Sequence, residues 1–327
     1  MSIKDNVIQL FREDQELSVK EIVDKLLVSK QMVHIVLNQL LSEGKVEKLG
    51  RAPKTVYRWR SAVAQPIKST ERVAPKEAAV LKKHFLLISE TGELHQGLEG
   101  FEIWCRQRKL PLIKTIGEYI KTLEKYGTYY NAQGFIDGIE KIKSTKGYRA
   151  IYLDGLFYLD FYAIERFGKT RLGTLLHYAK QGQSKTLMKM LVDEIADRPQ
   201  TLVDQLGVDA VVFVPPTIRR EVQLMKFFKT HIKLNVPLLE IKKISGLIPV
   251  PQKSLNKLEE RIANAQNTFS VPAGKSYRHI LLIDDAVGSG ATVNEIAGKL
   301  KQKGIAKEVS ALAITGSFKG FDVITDV

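Results

Sequence analysis

Two adjacent carboxylates and a run of small residues follow an apolar segment of this chain. Residues 280–283 form a short apolar run that is typical of a buried strand in a parallel sheet. Asp284 and Asp285 come next, and their carboxylates are suited to accept hydrogen bonds from the hydroxyls of a sugar. The glycines that follow let the backbone turn tightly and present bare N–H groups to an anion. The pattern therefore predicts a site for a phosphorylated sugar.

A helix is expected after Thr292, and its first N–H groups and positive dipole end suit a phosphate. Ser289 and Thr292 add hydroxyl donors. No lysine follows the glycines, which excludes a Walker A loop. The candidate binding residues of this segment, the 284–292 loop, are Asp284, Asp285, Ala286, Val287, Gly288, Ser289, Gly290, Ala291 and Thr292.

The order of strand, acid pair, glycines and helix resembles the phosphoribosyl-pyrophosphate (PRPP) loop of type I phosphoribosyltransferases. Ser289 stands where that family usually has threonine and keeps a hydroxyl, and Ala286 stands where a larger apolar residue is common. The resemblance implies that residues 289–292 hold the 5′-phosphate. It also implies that Asp284 and Asp285 address the ribose and are the catalytic candidates. Mg²⁺ is the implied cofactor, bound through PRPP and without a direct protein ligand.

Two further segments resemble the ComF-like branch of that family. Residues 176–183 are similar to its Lys-x-Gly stretch. Residues 252–269 are similar to its Gln-x-x-Leu, Glu-Arg-x-x-Asn and Phe signature, with one extra residue. The branch usually carries a cysteine-rich metal-binding segment, which this chain lacks because Cys105 is its only cysteine. The likeness covers residues 170–327.

Basic residues near the same sheet edge are candidates for the pyrophosphate. In the family, a strand end like that of residues 211–214 supplies a pyrophosphate-binding loop, which here contains Arg219 and Arg220. The alternative role for these arginines is to cap a surface helix. Lys180 is a further candidate for the pyrophosphate. Lys242 and Lys243 are weaker candidates, and a solvated pair is their alternative.

Three amphipathic helices and two strands are predicted in the first sixty residues. Ser18 is expected to cap the second helix, with Glu21 completing a capping box, and Ser29 to cap the third. Strands are expected at residues 46–49 and 55–59. This order resembles a winged helix-turn-helix domain, in which the third helix enters the major groove of DNA.

The DNA-binding candidates follow from that resemblance. Residues 45–60 carry six basic residues against Glu47 alone, as expected of a wing that neutralises phosphates. The alternative is a winged helix that serves dimerisation or protein contact. The candidate DNA-binding residues are Ser29, Lys30, Gln31, His34 and Asn38 on the third helix, and Arg51 and Lys54 on the wing.

Composition limits the classes of protein that remain. The 327 residues carry a net charge of +14, which favours polyanionic partners. A single cysteine excludes a disulfide framework and a cysteine-based zinc site. No apolar run approaches the roughly 20 residues that span a bilayer, and the N-terminus lacks the apolar core of a signal peptide. A cytoplasmic protein with no membrane partner is expected.

Four regions are expected along the chain. They are a winged helix-turn-helix domain at 1–61, a linker at 62–84, a mostly helical middle region at 85–150, and a phosphoribosyltransferase-like domain at 151–327. In the last region, strands predicted at 210–214, 236–241, 280–283 and 309–314 alternate with helices. This pattern indicates an α/β fold with a parallel sheet flanked by helices and ligands beyond the carboxyl ends of its strands. The aromatic residues of the middle region are expected in its core, and the region is expected to brace the outer domains or to form a homodimer surface.

Two functions fit these observations. One is a ComF-like transferase that moves a 5-phosphoribosyl group and is coupled to DNA binding. The other is a non-catalytic transcriptional regulator that senses PRPP or another 5-phosphoribosyl ligand. The winged helix favours the regulator, whereas the ComF-like signature and the arginines favour the transferase, which is the preferred prediction. An adaptor with an inactive site is a third reading.

Overall fold

The structure is a computed structural model that describes residues 2–14, 16–49, 55–59, 73–216, 220–244, 255, 257–271 and 274–317. The chain divides into two compact units, Met1–Arg72 and Val73–Val327, called here the N-terminal and C-terminal units. Arg51, Lys54 and Arg219 lie outside the described residues. Residues 62–72 of the predicted linker and part of the ComF-like signature also lie outside them.

The described part of the N-terminal unit contains three helices and a three-stranded antiparallel sheet. Its elements are α1 (Ile3–Glu13), β1 (Glu16–Ser18), α2 (Val19–Leu26), α3 (Lys30–Ser42), β2 (Val46–Leu49) and β3 (Val56–Trp59). The strand order is β1-β3-β2. Ser18 and Ser29 cap α2 and α3 as predicted, and Ser18 forms the capping box with Glu21. Strand β1, three residues long, was not predicted.

The C-terminal unit holds the remaining elements. In chain order they are α4 (Pro75–His84), β4 (Leu86–Ile88), β5 (Leu94–Gln96), α5 (Gly97–Gln107), α6 (Leu112–Gly127), β6 (Ile136–Asp137), α7 (Ile139–Ser144), β7 (Gly155–Phe161), β8 (Ala163–Ile164), β9 (Gly168–Lys169), α8 (Arg171–Gln181), α9 (Lys185–Ile195), α10 (Arg198–Leu206), β10 (Ala210–Phe213), α11 (Leu224–His231), β11 (Lys242–Lys243), α12 (Leu258–Thr268), β12 (Phe269–Ser270), β13 (Tyr277–Val287), α13 (Ala291–Gln302) and β14 (Ala306–Gly316).

A five-stranded sheet organises this unit in the order β10-β13-β14-β7-β6. The first four strands are parallel, and β6 pairs antiparallel with β7. Side chains alternate across the sheet, so Ile280 and Leu282 face one hydrophobic core while Leu281 and Ile283 face the other. The α/β fold with a mostly parallel sheet flanked by helices is confirmed. The carboxyl ends of four strands meet at one edge.

Two predicted region boundaries and one predicted strand need correction. Residues 75–84, assigned to the linker, form α4, and its Leu81 is fully buried. The region 85–150 is part of the same compact unit as the sheet, because β6 joins that sheet and Phe101 packs in its core. The strand predicted at 236–241 is reduced to one parallel bridge between Val211 and Leu238. Pro237 lacks the N–H that a longer pairing needs.

Candidate functional site

The acid pair and the glycines lie at the carboxyl edge of the sheet. Strand β13 is longer than predicted and includes Asp284 and Asp285. The chain then turns through residues 288–290, and α13 begins at Ala291 rather than after Thr292. Gly290 turns the chain with a φ of 86°, a conformation that favours glycine. The 284–292 loop thus runs from the end of β13 at the sheet edge to the first turn of α13.

One segment, residues 139–148, holds the back of this loop. The Nζ of Lys141 donates to the carbonyl oxygen of Gly288 at 3.1 Å. The Oη of Tyr148 donates to the carbonyl oxygen of Ser289 at 2.8 Å. The Cα of Gly290 packs so closely on Ile142 that an added Cβ would lie 3.0 Å from its Cγ1 and closer still to its Cδ1. The segment is called the brace below.

The brace fixes where the loop's N–H groups point. In a trans peptide, the C=O and the N–H lie on opposite sides. Because the carbonyls of Gly288 and Ser289 face the brace, the N–H groups of Ser289 and Gly290 face away from it. Neither they nor the N–H groups of Thr292 and Val293 have an acceptor in the described part of the chain. These four donors lie within five consecutive residues at the start of α13, an arrangement that suits an anion.

The two carboxylates have different environments. Asp285 is 8% exposed, and its Oδ2 lies 2.5 Å from the Nζ of Lys180 on α8. Asp284 accepts the backbone N–H of Asp285 at 2.8 Å. Burial, and then the charge of Asp285, raise the pKa of Asp284 to about 7, while Lys180 opposes the rise. The pair therefore holds one ion-paired carboxylate and one whose surroundings favour its protonated form.

The predicted basic residues differ in how close they lie to the acid pair. Lys180 reaches the acid pair itself. Arg220 donates to Gln181 Oε1 at 3.4 Å, a weak bond at the end of the helix that carries Lys180. The Lys-x-Gly stretch therefore adjoins the segment after β10. Lys242 and Lys243 lie in β11, which pairs with β12 and not with the five-stranded sheet.

Sequence reasoning missed Lys141, Tyr148 and Asp160. Asp160, near the end of β7, accepts the hydroxyl of Tyr130 at 2.6 Å, and burial raises its pKa to about 6. No sequence motif marks these residues, because each makes its contact with a part of the chain that is distant in sequence. Only the isoleucines at 139 and 142, spaced as on one helix face, indicated that α7 packs on something.

A cleft of about 500 Å³ lies along α13, between α12 and residues 147–152. Its polar lining includes Arg149, Glu259 and Glu295. Burial raises the pKa of Glu295. Tyr148 lines this cleft and also donates to the 284–292 loop, so it belongs to both.

In the N-terminal unit, the predicted DNA-binding residues share the exposed side of α3. Lys30, Gln31 and Asn38 are exposed and His34 is partly exposed. Ile35 is also exposed, at 62%, and α3 contains no carboxylate. This face can approach a polyanion without charge repulsion.

Two of the predicted contributors have internal roles. The hydroxyl of Ser29 accepts the N–H of Met32 and so serves as the helix cap. Arg58, one of the six basic residues counted in the wing, is ion-paired with Glu16 at 2.5 Å and Glu47 at 3.5 Å. The free positive charge of residues 45–60 is therefore smaller than the sequence suggests.

No protein-family model matches this chain, and no curated protein matches it. Among the helices that the structure describes, none is long and apolar enough to cross a membrane. The described residues also contain no cluster of three or more His, Cys, Asp or Glu side chains placed to hold a metal ion.

Proposed function

We propose that the C-terminal unit binds PRPP as a type I phosphoribosyltransferase of the ComF-like branch does, and that it transfers the 5-phosphoribosyl group to an acceptor. The observation that carries the proposal is the set of four N–H groups at residues 289–293 that have no acceptor among the described residues. It follows directly on an acid pair at the carboxyl edge of a parallel sheet. That combination suits a ligand with a phosphate at one end and hydroxyls beside it.

Different residues contact different parts of the ligand. The N–H groups of Ser289, Gly290, Thr292 and Val293 hold the 5′-phosphate. Asp284 and Asp285 accept hydrogen bonds from the ribose hydroxyls. Transfer breaks the bond between the anomeric carbon and pyrophosphate while positive charge develops on the ribose. The protein therefore acts mainly by positioning and by charge stabilisation.

Two basic side chains near the acid pair are the candidates for holding the pyrophosphate. Arg220 and Lys180 are on adjoining segments, and Lys180 already faces the acid pair. Bidentate bonds from arginine and a point charge from lysine are the usual means of holding phosphate oxygens. We assign these two side chains to the pyrophosphate, together with Arg219, which lies outside the described residues.

The donor set fits Mg²⁺ held mainly by its substrate. Mg²⁺ prefers oxygen ligands, keeps several waters, and is commonly bound by one or two carboxylates together with phosphates. Here the acid pair would hold the ribose hydroxyls, so the ion would be held through PRPP and not by the carboxylates themselves. When bound with PRPP, the ion neutralises charge on the pyrophosphate leaving group.

We further propose that the N-terminal unit is a winged helix that binds DNA through α3. Support comes from the order of three helices and a β2-β3 hairpin, and from an exposed α3 face that bears Lys30, Gln31 and Asn38 but no carboxylate. The alternative, a protein-contact role, is favoured by the exposed apolar side chains of Leu27, Met32 and Ile35.

A second function for the whole chain is a PRPP sensor without turnover. One observation favours it: Lys180, a cation needed for the pyrophosphate, is engaged by Asp285. The four N–H donors serve the sensor as well as the enzyme, so ligand binding alone does not separate the two functions.

The chain's two tryptophans allow a direct test of the ligand site. Trp59 lies in the N-terminal unit and Trp104 in the C-terminal unit, so variants retaining one tryptophan report on one unit each. PRPP with Mg²⁺ is expected to raise the melting temperature read by Trp104 and to leave that read by Trp59 unchanged. The double variant Asp284→Ala with Asp285→Ala is expected to abolish the rise, and Asp193→Ala, an exposed acid on α9, to keep it.

An unchanged rise in the double variant would refute the ligand site. Release of pyrophosphate from PRPP, measured with a panel of nucleobases as acceptors, then separates the two functions. Turnover on any base supports the transferase, whereas saturable PRPP binding without pyrophosphate release supports the sensor.

A further inference from the structure

Lys141 occupies an unusual place at the back of the 284–292 loop. From α7, its ammonium donates to the carbonyl of Gly288 at 3.1 Å, to the carbonyl of Ser317 at 2.9 Å, and to the hydroxyl of Ser317. These two residues directly follow β13 and β14. One side chain thus joins the ends of two neighbouring strands.

The charge of Lys141 has no carboxylate partner among the described residues. Glu140 pairs with Lys143, and Asp285 pairs with Lys180. A partly buried and unpaired ammonium is costly unless something compensates its charge. The titratable groups on the elements around it are Asp137, Glu140 and Lys143 on or beside α7, Tyr148, Tyr158 on β7, and Asp284 and Asp285 on β13.

The peptide between Gly288 and Ser289 connects this charge to the ligand side of the loop. Its C=O accepts from Lys141, and its N–H points the opposite way, towards the proposed 5′-phosphate. Hydrogen bonds in such a chain polarise one another, so a charged donor at one end makes the N–H at the other end a stronger donor. We infer that Lys141 is a positioning residue that sets the loop for phosphate and strengthens its grip through this peptide.

This inference rests on the proposed function and has a consequence for pH. Burial lowers the pKa of the Lys141 ammonium to about 8. A bound phosphate favours the charged form, so phosphate binding and protonation of Lys141 favour each other. Since the pKa in the complex is then higher than in the free protein, affinity is present below about pH 8 and falls as the pH rises above it.

Ribose 5-phosphate is the appropriate probe, because it carries the 5′-phosphate without the pyrophosphate. We expect its dissociation constant, measured by calorimetry from pH 6.5 to 9.5, to rise above about pH 8 in the wild type. Lys141→Met is expected to bind about tenfold more weakly at pH 7, the scale of one charge-assisted hydrogen bond, and to lose the rise above pH 8. Lys141→Arg, which stays charged, is expected to keep its affinity at pH 9.5.

Lys143→Met is the matched control, since Lys143 lies on the same helix and pairs with Glu140 at the surface. It should behave as the wild type. Affinity of Lys141→Met within twofold of the wild type, with an unchanged pH profile, overturns the inference. If Lys141→Met does not fold, as judged by Trp104 fluorescence, the arginine variant decides: a fall above pH 8 equal to that of the wild type overturns it.

A failure of the proposed function gives a different result. A wild type that binds neither ribose 5-phosphate nor PRPP at any pH removes the phosphate site itself. A wild type that binds both, with no effect of either Lys141 variant, removes only the role of Lys141.

Discussion

Replacement of Gly290 by alanine tests the packing of the brace against the 284–292 loop. Gly290 has a φ of 86°, so alanine there is strained in any surroundings. Its Cβ would also overlap Ile142 on α7, a residue that is 1% exposed. The substitution therefore adds a steric term to the backbone term.

The two terms have different sizes. Left-handed backbone costs alanine about 1 kcal/mol relative to glycine. Overlap in a packed interior costs about 1–3 kcal/mol more. We expect Gly290→Ala to lower the free energy of unfolding of the C-terminal unit by about 2–4 kcal/mol. The matched control is Gly304→Ala just after α13, where φ is 67° and no atom lies within 4 Å of an added Cβ. It should cost only about 1 kcal/mol.

Urea unfolding followed by Trp104 fluorescence in a Trp59→Phe background measures both variants. Ile142→Ala opens space at the same point, so the double variant with Gly290→Ala is expected to be more stable than additivity predicts, by about 1–3 kcal/mol. The same protein should bind ribose 5-phosphate more weakly, because the loop loses its support. Equal costs for Gly290→Ala and Gly304→Ala, with an additive double variant, would show that α7 does not pack on the loop.

Two further predictions concern the acid pair and the N-terminal unit. The folded pKa of Asp284, about 7, is above its unfolded value of about 3.9, so its stabilising contribution is present at acid pH and is lost as the pH rises from about 4 to 7. Between about pH 4 and 7, the free energy of unfolding of Asp284→Asn, measured in urea, should therefore rise by about 2 kcal/mol relative to that of the wild type. This is half of what the full shift gives, because Asp284 is only partly buried. Parallel pH profiles of the two proteins would contradict this. Gln31→Glu on α3 is expected to weaken binding to duplex DNA at least about tenfold at low salt, while the same change at the exposed Gln9 on α1 has no effect in a fluorescence anisotropy titration. Equal effects of the two changes would place the DNA contact elsewhere.

The features that could be predicted from the sequence are those determined locally. Ser18 and Ser29 mark helix starts because the cap bond joins residues three apart. The strand, turn and helix start at residues 280–292 could be predicted because strand, acids, glycines and helix follow one another directly. The hairpin at β2 and β3 is likewise a short-range feature.

The brace lay beyond prediction because its contacts are distant in sequence. Lys141 is 147 residues from Gly288 and 176 from Ser317. Nothing near it in the chain distinguishes it from Lys143, which points to solvent. The predicted strand at 236–241 failed for the opposite reason. Its apolar residues fit a strand, but Pro237 has no N–H to donate, and the pairing is limited to one bridge with Val211.

The pairing of Lys180 with Asp285 bears on the choice between transferase and sensor. In the free protein each charge compensates the other across 2.5 Å. If PRPP binds as proposed, its ribose hydroxyls give Asp285 new hydrogen-bond partners, and Lys180 is then able to turn to the pyrophosphate oxygens. Such an exchange costs less than simple loss of the ion pair, because each group gains a new hydrogen-bond partner. The ion pair is thus compatible with catalysis as well as with sensing. Under the proposed transferase function, Lys180 pairs with Asp285 in the free protein and with the pyrophosphate in the complex.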